Sequence, residues 1–268
     1  MRVDSIHIHD ILRNRVKEKL ARDELVSSMT VRLVRTIEIA HIAATAGFDS
    51  LYVDIEHNSF SLDTTGQICI AALSVGITPL VRVPSIEMIP RVLDGGALGI
   101  IAPHVRSPDD ARNVVTMAKY APHGQRSAAG NLPHLHYRNF PIAAANAAMN
   151  DATMVVVMIE TVAALESVEA IAAVPGVDLL LIGTNDLTTE MGIAGQYDHP
   201  AVRDAYSKSM AACRKHGKHL GVGGLASRPD LAGQMVTLGA RYVSTGTDLQ
   251  FLLGAATAKA AEVAAMRS

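Results

Sequence analysis

The chain has 268 residues and a mass of 28.4 kDa. Hydrophobic residues make up 49% and charged residues 19%, and the mean hydropathy is +0.22, which excludes an intrinsically disordered chain. The formal net charge of -2 provides no basic field that would attract nucleic acid or an anionic membrane. We therefore expect a small-molecule partner, no nucleic acid and no membrane.

The cysteines and the N-terminal segment indicate the compartment. Cys69 and Cys213 are too few and too far apart for a disulfide framework or a structural zinc site. Charged residues interrupt the N-terminal segment every few positions, and no run approaches the roughly 18 apolar residues of a membrane span. The sequence thus predicts a cytoplasmic protein without a signal peptide or a spanning segment.

The predicted elements alternate between short apolar runs and longer segments with helical spacing. A helix at about residues 5–22 precedes the first run. The runs predicted as strands are Leu25–Val31, Ser50–Ile55, Thr78–Val83, Gly99–Ala102, Thr153–Ile159, Val177–Ile182, His219–Val222 and Arg241–Thr245. The clearest helical segments between them are Arg35–Ala46, Asp109–Lys119, Val162–Ala173, Pro200–His216 and Arg228–Leu238. An Ala-rich helix at about 248–266 ends the chain.

This alternation is typical of βα units arranged around a parallel sheet. Because no Pro/Ser-rich linker or change in composition divides the chain, we predict an α/β protein with one domain over 1–268. Its core would be a single (β/α)8 TIM barrel at about 24–253, and an open doubly wound sheet is the alternative. The C-terminal helix either caps its own barrel or docks on a neighbouring subunit.

Polar residues at the carboxyl ends of the strands are the candidates for chemistry, because barrel active sites lie there. Glu160 and Asp186 end successive predicted strands, so their carboxylates could converge and hold a hard divalent cation such as Mg²⁺ or Mn²⁺. Taken singly, each could instead be an exposed loop charge or an acid that favours a helix N-terminus.

Arg82 follows an apolar run and precedes a proline, a position that predicts a buried guanidinium in need of an anion. That anion is either a substrate carboxylate or oxyanion, or a structural partner such as Asp54 or Glu56. His57 follows the same two acids at a strand end and is a candidate base, with a structural histidine as the alternative.

The segment Gly183–Leu187 predicts a tight strand-to-helix turn whose amides could bind a carboxylate or a phosphate. No dinucleotide-binding, P-loop or nucleophile-elbow motif is present, so we expect no organic cofactor. No lysine stands at a predicted strand end, which leaves a Schiff-base mechanism without an obvious lysine.

Taken together, the strand-end motifs resemble those of the HpcH/HpaI-type class II pyruvate aldolases, which are metal-dependent. The resemblance runs from about Glu24 to Leu253. Its pieces are GFDSLYVDIEH (47–57), PLVRVP (79–84), LDGGALGIIAPHV (93–105), AKYAPHGQRSAAG (118–130), VMIET (157–161), GVDLLLIGTNDLTTEMG (176–192) and YVSTGTDLQFL (242–252).

The resemblance implies an aldehyde-lyase that reversibly cleaves a 4-hydroxy-2-oxo acid to pyruvate, or a related 2-oxo acid such as hydroxypyruvate, and an aldehyde. It implies that Glu160 and Asp186 ligate Mg²⁺ or Mn²⁺, with Co²⁺ also allowed. Arg82 would contact the bound 2-oxo acid. His57 would transfer protons together with Asp94, which could reach the site from an adjacent subunit.

The resemblance further implies that Thr184 and Asn185 form the turn whose amides receive the pyruvate carboxylate, next to Asp186. It implies a homo-oligomer, a hexamer built as a trimer of dimers, with an exchanged C-terminal helix. Met158 departs from the pattern, because many members have glutamine there, and Ile55 replaces the usual glycine. Two alternatives stay open, a CoA-thioester lyase of the citrate lyase β-subunit or malyl-CoA lyase type, and a non-catalytic barrel that binds a keto acid.

Overall fold

The computed structural model describes residues 7–266. Within them, eight parallel strands pair in sequence order, and Val26 of the first lies opposite Tyr242 of the last, so the sheet closes. The strands are β1 (Val26–Val31), β2 (Ser50–Asp54), β3 (Thr78–Arg82), β4 (Gly99–Ala102), β5 (Met154–Ile159), β6 (Leu179–Gly183), β7 (His219–Gly223) and β8 (Tyr242–Ser244). The predicted (β/α)8 barrel is confirmed, and the open doubly wound sheet is wrong.

Helices surround the barrel and close one end of it. They are α1 (Ile8–Ile11), α2 (Arg15–Ala21), α3 (Glu38–Ala46), α4 (Leu62–Ser74), α5 (Ile89–Asp94), α6 (Pro108–Ala118), α7 (Ile142–Ala152), α8 (Val162–Glu166), α9 (Val168–Ala172), α10 (Thr184–Glu190), α11 (Pro200–His216), α12 (Pro229–Leu238) and α13 (Asp248–Ala265). Short 3-10 turns lie at Ile86–Met88 and Pro133–Leu135.

The single N-terminal helix predicted at about 5–22 is wrong, because α1 and α2 are separate helices; residues 5 and 6 lie outside the described part of the chain. Asn14 interrupts the helix: its backbone is extended, and its side chain accepts a hydrogen bond from the amide of Lys17, which caps α2. Its Nδ2 also donates to the carbonyl of Ala152 at 2.8 Å, anchoring this break to the barrel.

The core has two layers, as expected for a barrel with an outer ring of helices. One lies between the sheet and the helices, and the other fills the barrel interior, where Tyr52, Leu80 and Tyr242 are buried. Val16 and Leu20 of α2 belong to the interior cluster, so α2 closes the amino-terminal end of the barrel. The opposite end, at the carboxyl ends of the strands, is left for a site.

Helix α13 leaves the barrel with its side chains largely in solvent. Its first residue, Asp248, is buried and accepts hydrogen bonds from the amides of Arg32, Leu33 and Val34, which fixes the start of the helix. Every following residue as far as Met266 is exposed. Capping of its own barrel therefore does not bury this helix in the single chain.

Candidate active site

A cavity of about 290 Å³ opens at the carboxyl ends of the strands. Three inward-facing side chains form part of its lining, Tyr52 of β2, Met158 of β5 and Leu181 of β6, and Sδ of Met158 lies 4.0 Å from the Tyr52 hydroxyl. The predicted site residues that line it are His57, Arg82, Asn185 and Asp186. The cavity therefore lies on the face where barrel enzymes carry their active sites.

Arg82 ends β3, and its buried guanidinium is held by two carboxylates. Its Nε and Nη2 donate to the two carboxylate oxygens of Asp54 at 2.9 and 2.6 Å, and its Nη1 lies 2.8 Å from Oε2 of Glu56. Both structural partners considered for Arg82 are thus present. The side chain also lines the cavity, and a guanidinium has five N–H donors, more than these three contacts use.

Asp54 is fully buried and joins two guanidinium groups, because Nε of Arg32 also donates to its Oδ2 at 2.6 Å. Burial opposes ionisation of this carboxyl. Its hydrogen bonds and charge interactions with Arg82, together with the charge of Arg32, more than offset burial and hold its pKa below the usual value. Asp54 is therefore a fixed negative charge that orients Arg82.

Two residues that were not predicted as site residues, Glu56 and His104, connect the strand ends. Glu56 follows β2 with a side chain only 9% exposed, and its Oε1 lies 2.8 Å from Nε2 of His104 in the loop after β4. The main-chain N–H of His104 donates to Oε1 of Glu160 at 2.7 Å. The only signal in the sequence that could have identified them as site residues is their position just after two predicted strands.

Glu160 directly follows β5, and Asp186 lies in the first turn of α10. Burial raises the pKa of Glu160 above its usual value; the amide and ring of His104 oppose the increase, and the negative charges of Asp186 and Glu56 add to it. Gly183 makes room for this carboxylate, since a Cβ there would lie 2.9 Å from Cβ and 3.0 Å from Oε2 of Glu160. The two predicted ligand carboxylates are therefore close enough to repel each other.

The charges at the strand ends favour a cation. Within residues 7–266, no lysine or arginine forms an ion pair with Glu160 or Asp186, whereas Asp54 and Glu56 are neutralised by Arg82 with help from Arg32. No group of three or more His, Cys, Asp or Glu side chains in the described chain has metal-holding geometry. The arrangement suits a divalent cation held by two carboxylates, with other positions open to water and substrate oxygens.

Of the two turn residues, Thr184 points away from the cavity. Its hydroxyl contacts the Tyr206 hydroxyl at 2.8 Å and donates to the carbonyl of Gly223 at 2.7 Å, and the residue is buried. Asn185 does line the cavity, and its Oδ1 accepts a hydrogen bond from the Tyr197 hydroxyl at 2.7 Å. Any contact of Thr184 with a ligand would therefore come from its main chain.

Of the two residues predicted to transfer protons, His57 and Asp94, only His57 lines the cavity of its own chain. His57 lines the cavity with a side chain 55% exposed, and its Nε2 lies 3.7 Å from Oε2 of Glu56. Asp94, the last residue of α5, is not among the residues that line the cavity, and its Oδ1 accepts a hydrogen bond from Nη2 of Arg126 at 2.6 Å. Within one chain, therefore, only His57 of the two lies at the cavity.

Comparison with known families decides what this barrel is. The family model described as HpcH/HpaI aldolase/citrate lyase matches residues 33–255. The chain belongs to this family. The resemblance inferred from the strand-end motifs is therefore confirmed.

The relatives of this HpcH/HpaI chain include named aldolases, which are carbon–carbon lyases. A 4-hydroxy-4-methyl-2-oxoglutarate aldolase of Chaetomium globosum is 41% identical, covering 94% of this chain and 95% of the relative. A hydroxypyruvate/pyruvate aldolase of Cupriavidus necator is 34% identical, covering 83% and 82%. The crystal structure of an HpcH/HpaI aldolase from Desulfitobacterium hafniense superposes with a TM-score of 0.85 at 32% identity, covering 92% of this chain and 95% of that one.

None of the helices within residues 7–266 of this HpcH/HpaI protein has the length and apolar character that crossing a bilayer requires.

Proposed function

We propose that this protein is a divalent-metal-dependent aldolase that cleaves a 4-hydroxy-2-oxo acid to pyruvate, or a related 2-oxo acid, and a carbonyl product that is ordinarily an aldehyde. The observation that carries the proposal is the neighbouring pair of acids Glu160 and Asp186, which has no lysine or arginine partner within residues 7–266. Asp186 and the buried guanidinium of Arg82 line the same cavity. The names of the relatives support the reaction class.

In this proposal Glu160 and Asp186 hold Mg²⁺ or Mn²⁺, and Co²⁺ would fit the same oxygen ligands. The cation supplies positive charge next to the oxygen atoms of the bound 2-oxo acid. Asp186, which lines the cavity, would contact both the cation and the substrate. Asn185 and the first amides of α10 orient the substrate carboxylate. No organic cofactor is required for this chemistry.

Arg82 and His57 carry the remaining roles. His57 takes up the proton of the 4-hydroxyl through an intervening water, and the C3–C4 bond breaks to release the carbonyl product. Negative charge then develops on the 2-oxo oxygen. The guanidinium of Arg82 stabilises that charge because Asp54 and Glu56 fix its position before the reaction begins. A proton returned to C3 gives pyruvate.

Asp94 would serve the site of a neighbouring subunit, because it does not line the cavity of its own chain. The test uses two inactive variants, His57→Gln and Asp94→Asn, mixed and reassembled. Hybrid oligomers should regain part of the activity, since some interfaces combine an intact His57 with an intact Asp94. Mixtures that stay inactive after proven subunit exchange would overturn the shared site.

The exposed apolar residues of α13 support a homo-oligomer, proposed as a hexamer of three dimers with α13 exchanged between subunits. Leu249, Leu252 and Leu253 are each roughly half exposed or more in the single chain, which an aqueous surface disfavours. Sedimentation should give a hexamer for the wild type and a smaller species for Leu252→Asp/Leu253→Asp. A monomeric wild type would contradict the proposal.

A cytoplasmic location is proposed because Cys69 and Cys213 are free and buried, as in proteins of reducing compartments. Cell fractionation tests it, and recovery of the protein outside the cytoplasm would contradict it.

The reaction is tested by pyruvate release from a panel of 4-hydroxy-2-oxo acids, beginning with 4-hydroxy-4-methyl-2-oxoglutarate, for which the carbonyl product is itself a 2-oxo acid. EDTA should abolish release, and added Mn²⁺ or Mg²⁺ should restore it. Release that survives EDTA would contradict the metal requirement. Failure with every free acid would favour the CoA-thioester lyase, and no turnover of either class would favour a keto-acid-binding barrel.

A further inference from the structure

His104, in the loop after β4, adopts a backbone conformation that is uncommon outside glycine. Its φ is +59°, in the left-handed region, where histidine is tolerated better than most residues. Such conformations persist where surrounding contacts hold them, and they cluster at functional sites. Here the conformation directs the main-chain N–H at Oε1 of Glu160, which it meets at 2.7 Å.

The imidazole of His104 extends the same arrangement to a second carboxylate. Its Nε2 lies 2.8 Å from Oε1 of Glu56, and its Nδ1 lies 3.3 Å from Oε1 of Glu160. The ring is 65% exposed, whereas both carboxylates are nearly buried. His104 therefore lies over two acids that would repel each other, and it contacts one with its ring and the other with its ring and its backbone.

These contacts join the predicted cation ligand to the residues that fix Arg82. Oε2 of Glu56, the oxygen that does not face His104, forms an ion pair with Nη1 of Arg82 at 2.8 Å. Movement of Glu56 would therefore change the position of the guanidinium, and movement of Glu160 would change the distance to Asp186. One side chain is placed to limit both movements.

We propose that His104 is a positioning residue that aligns Glu160 for a divalent cation and keeps Glu56 on Arg82. The inference rests on the proposed function in taking Glu160 as a ligand. Residues that orient ligands typically change metal affinity about 10–100-fold when they are replaced. We therefore expect loss of the imidazole to weaken cation binding by about tenfold or more, although both carboxylates remain.

The experiment measures the binding of Mn²⁺ alone by electron paramagnetic resonance, without substrate. His104→Gly keeps the left-handed backbone accessible but removes the ring, and His104→Gln restores a donor with the reach of Nε2. His136→Gly is the matched control, because His136 is an exposed histidine with φ +51° in the loop after Pro133–Leu135. Thermal unfolding of each variant verifies that it is folded.

The expected order of Mn²⁺ affinity is wild type and His136→Gly highest, His104→Gln next and His104→Gly lowest. His104→Asn, which also tolerates a left-handed backbone but is too short to keep the ring contacts, replaces the glycine variant if that protein does not fold. Affinity of the ring-deleted variant within about threefold of the wild type would overturn the role of His104 alone. A wild type that binds no Mn²⁺ would instead remove the proposed metal site, and this inference with it.

Discussion

Arg82 and Asp54 form a two-point ion pair between neighbouring strands, with Nε to Oδ1 at 2.9 Å and Nη2 to Oδ2 at 2.6 Å. Their Cα atoms are register partners of β3 and β2, so the sheet itself sets the separation. Burying a guanidinium costs free energy during folding, but a guanidinium that is already in position needs no reorganisation during a reaction. The same ion pair therefore affects both the stability of the barrel and the position of the positive charge at the cavity.

Replacing Arg82 should affect folding and activity separately. Arg82→Met leaves Asp54 buried with Arg32 as its remaining guanidinium partner, and we expect a loss of about 3 kcal/mol in unfolding free energy. Adding Asp54→Asn should recover part of that loss, because it removes one of the two buried carboxylates that Arg82 had neutralised. Pyruvate release should stay low in both proteins, as measured beside urea unfolding. Recovery of turnover in the double variant would mean that Arg82 acts only through the fold.

Adding a methyl group at Gly183 should displace Glu160. Gly183 has φ -85°, which alanine adopts readily, but its Cβ would lie 2.9 Å from Cβ of Glu160. We expect Gly183→Ala to lower Mn²⁺ affinity by about tenfold. Gly233→Ala is the control, since nothing lies within 4 Å of a Cβ there and a helical glycine gains about 0.5–1 kcal/mol on this change. Equal Mn²⁺ affinities in both variants would argue against Glu160 as a ligand.

Much of this arrangement could be predicted from the pattern of strand ends. The β-branched apolar runs place β3, β5 and β6. Arg82 ends the first of these strands, and Glu160 and Asp186 follow the other two, so all three lie at the same end of the barrel because parallel strands share a direction. From the sequence, Arg82 is expected either to pair with acidic side chains or to face a ligand. The structure shows the ion pairs and the cavity-lining position together.

The contacts of His104 and Thr184 could not be predicted in the same way. His104 reaches Glu56 and Glu160 because its backbone turns left-handed after β4, and no local sequence pattern specifies that turn. The hydroxyl of Thr184 contacts Tyr206, which lies on a helix that starts at residue 200. The sequence around Thr184 gives no indication of a partner so far along the chain. Backbone direction at the loops, rather than the order of the strands, determines which side chains face the cavity.

The side chain of Thr184 should matter for stability and little for substrate affinity. Thr184→Val leaves the buried Tyr206 hydroxyl without this partner, which costs about 1–3 kcal/mol. Tyr206→Phe in the same protein should restore part of the loss, giving a coupling energy in a double-mutant cycle by urea unfolding. The KM should change less than about threefold, because α10 keeps its amides. A large rise in KM with unchanged stability would contradict the structural role.

His134 should make the fold sensitive to mild acid. Burial lowers the pKa of its ring to about 4; the hydrogen bond of Nε2 with the Ala97 carbonyl at 2.9 Å partly opposes this, and the positive charge of Arg126 adds to it. Nδ1 is buried with no hydrogen-bond partner in the described part of the chain, so a second proton would be unsatisfied there.

The direction of the pH dependence follows from proton linkage. The unfolded chain takes up this proton below the ordinary histidine pKa of about 6.5, whereas the folded chain does so only near 4, so stability falls as the pH falls between these values. From pH 7 to pH 5 this group should remove about 2 kcal/mol of unfolding free energy. His134→Gln keeps a donor for the Ala97 carbonyl but does not titrate, so its urea-unfolding free energy should fall by about 2 kcal/mol less over that range. Parallel pH profiles for the two proteins would show that the ring is already protonated, or accessible to water, in the folded state.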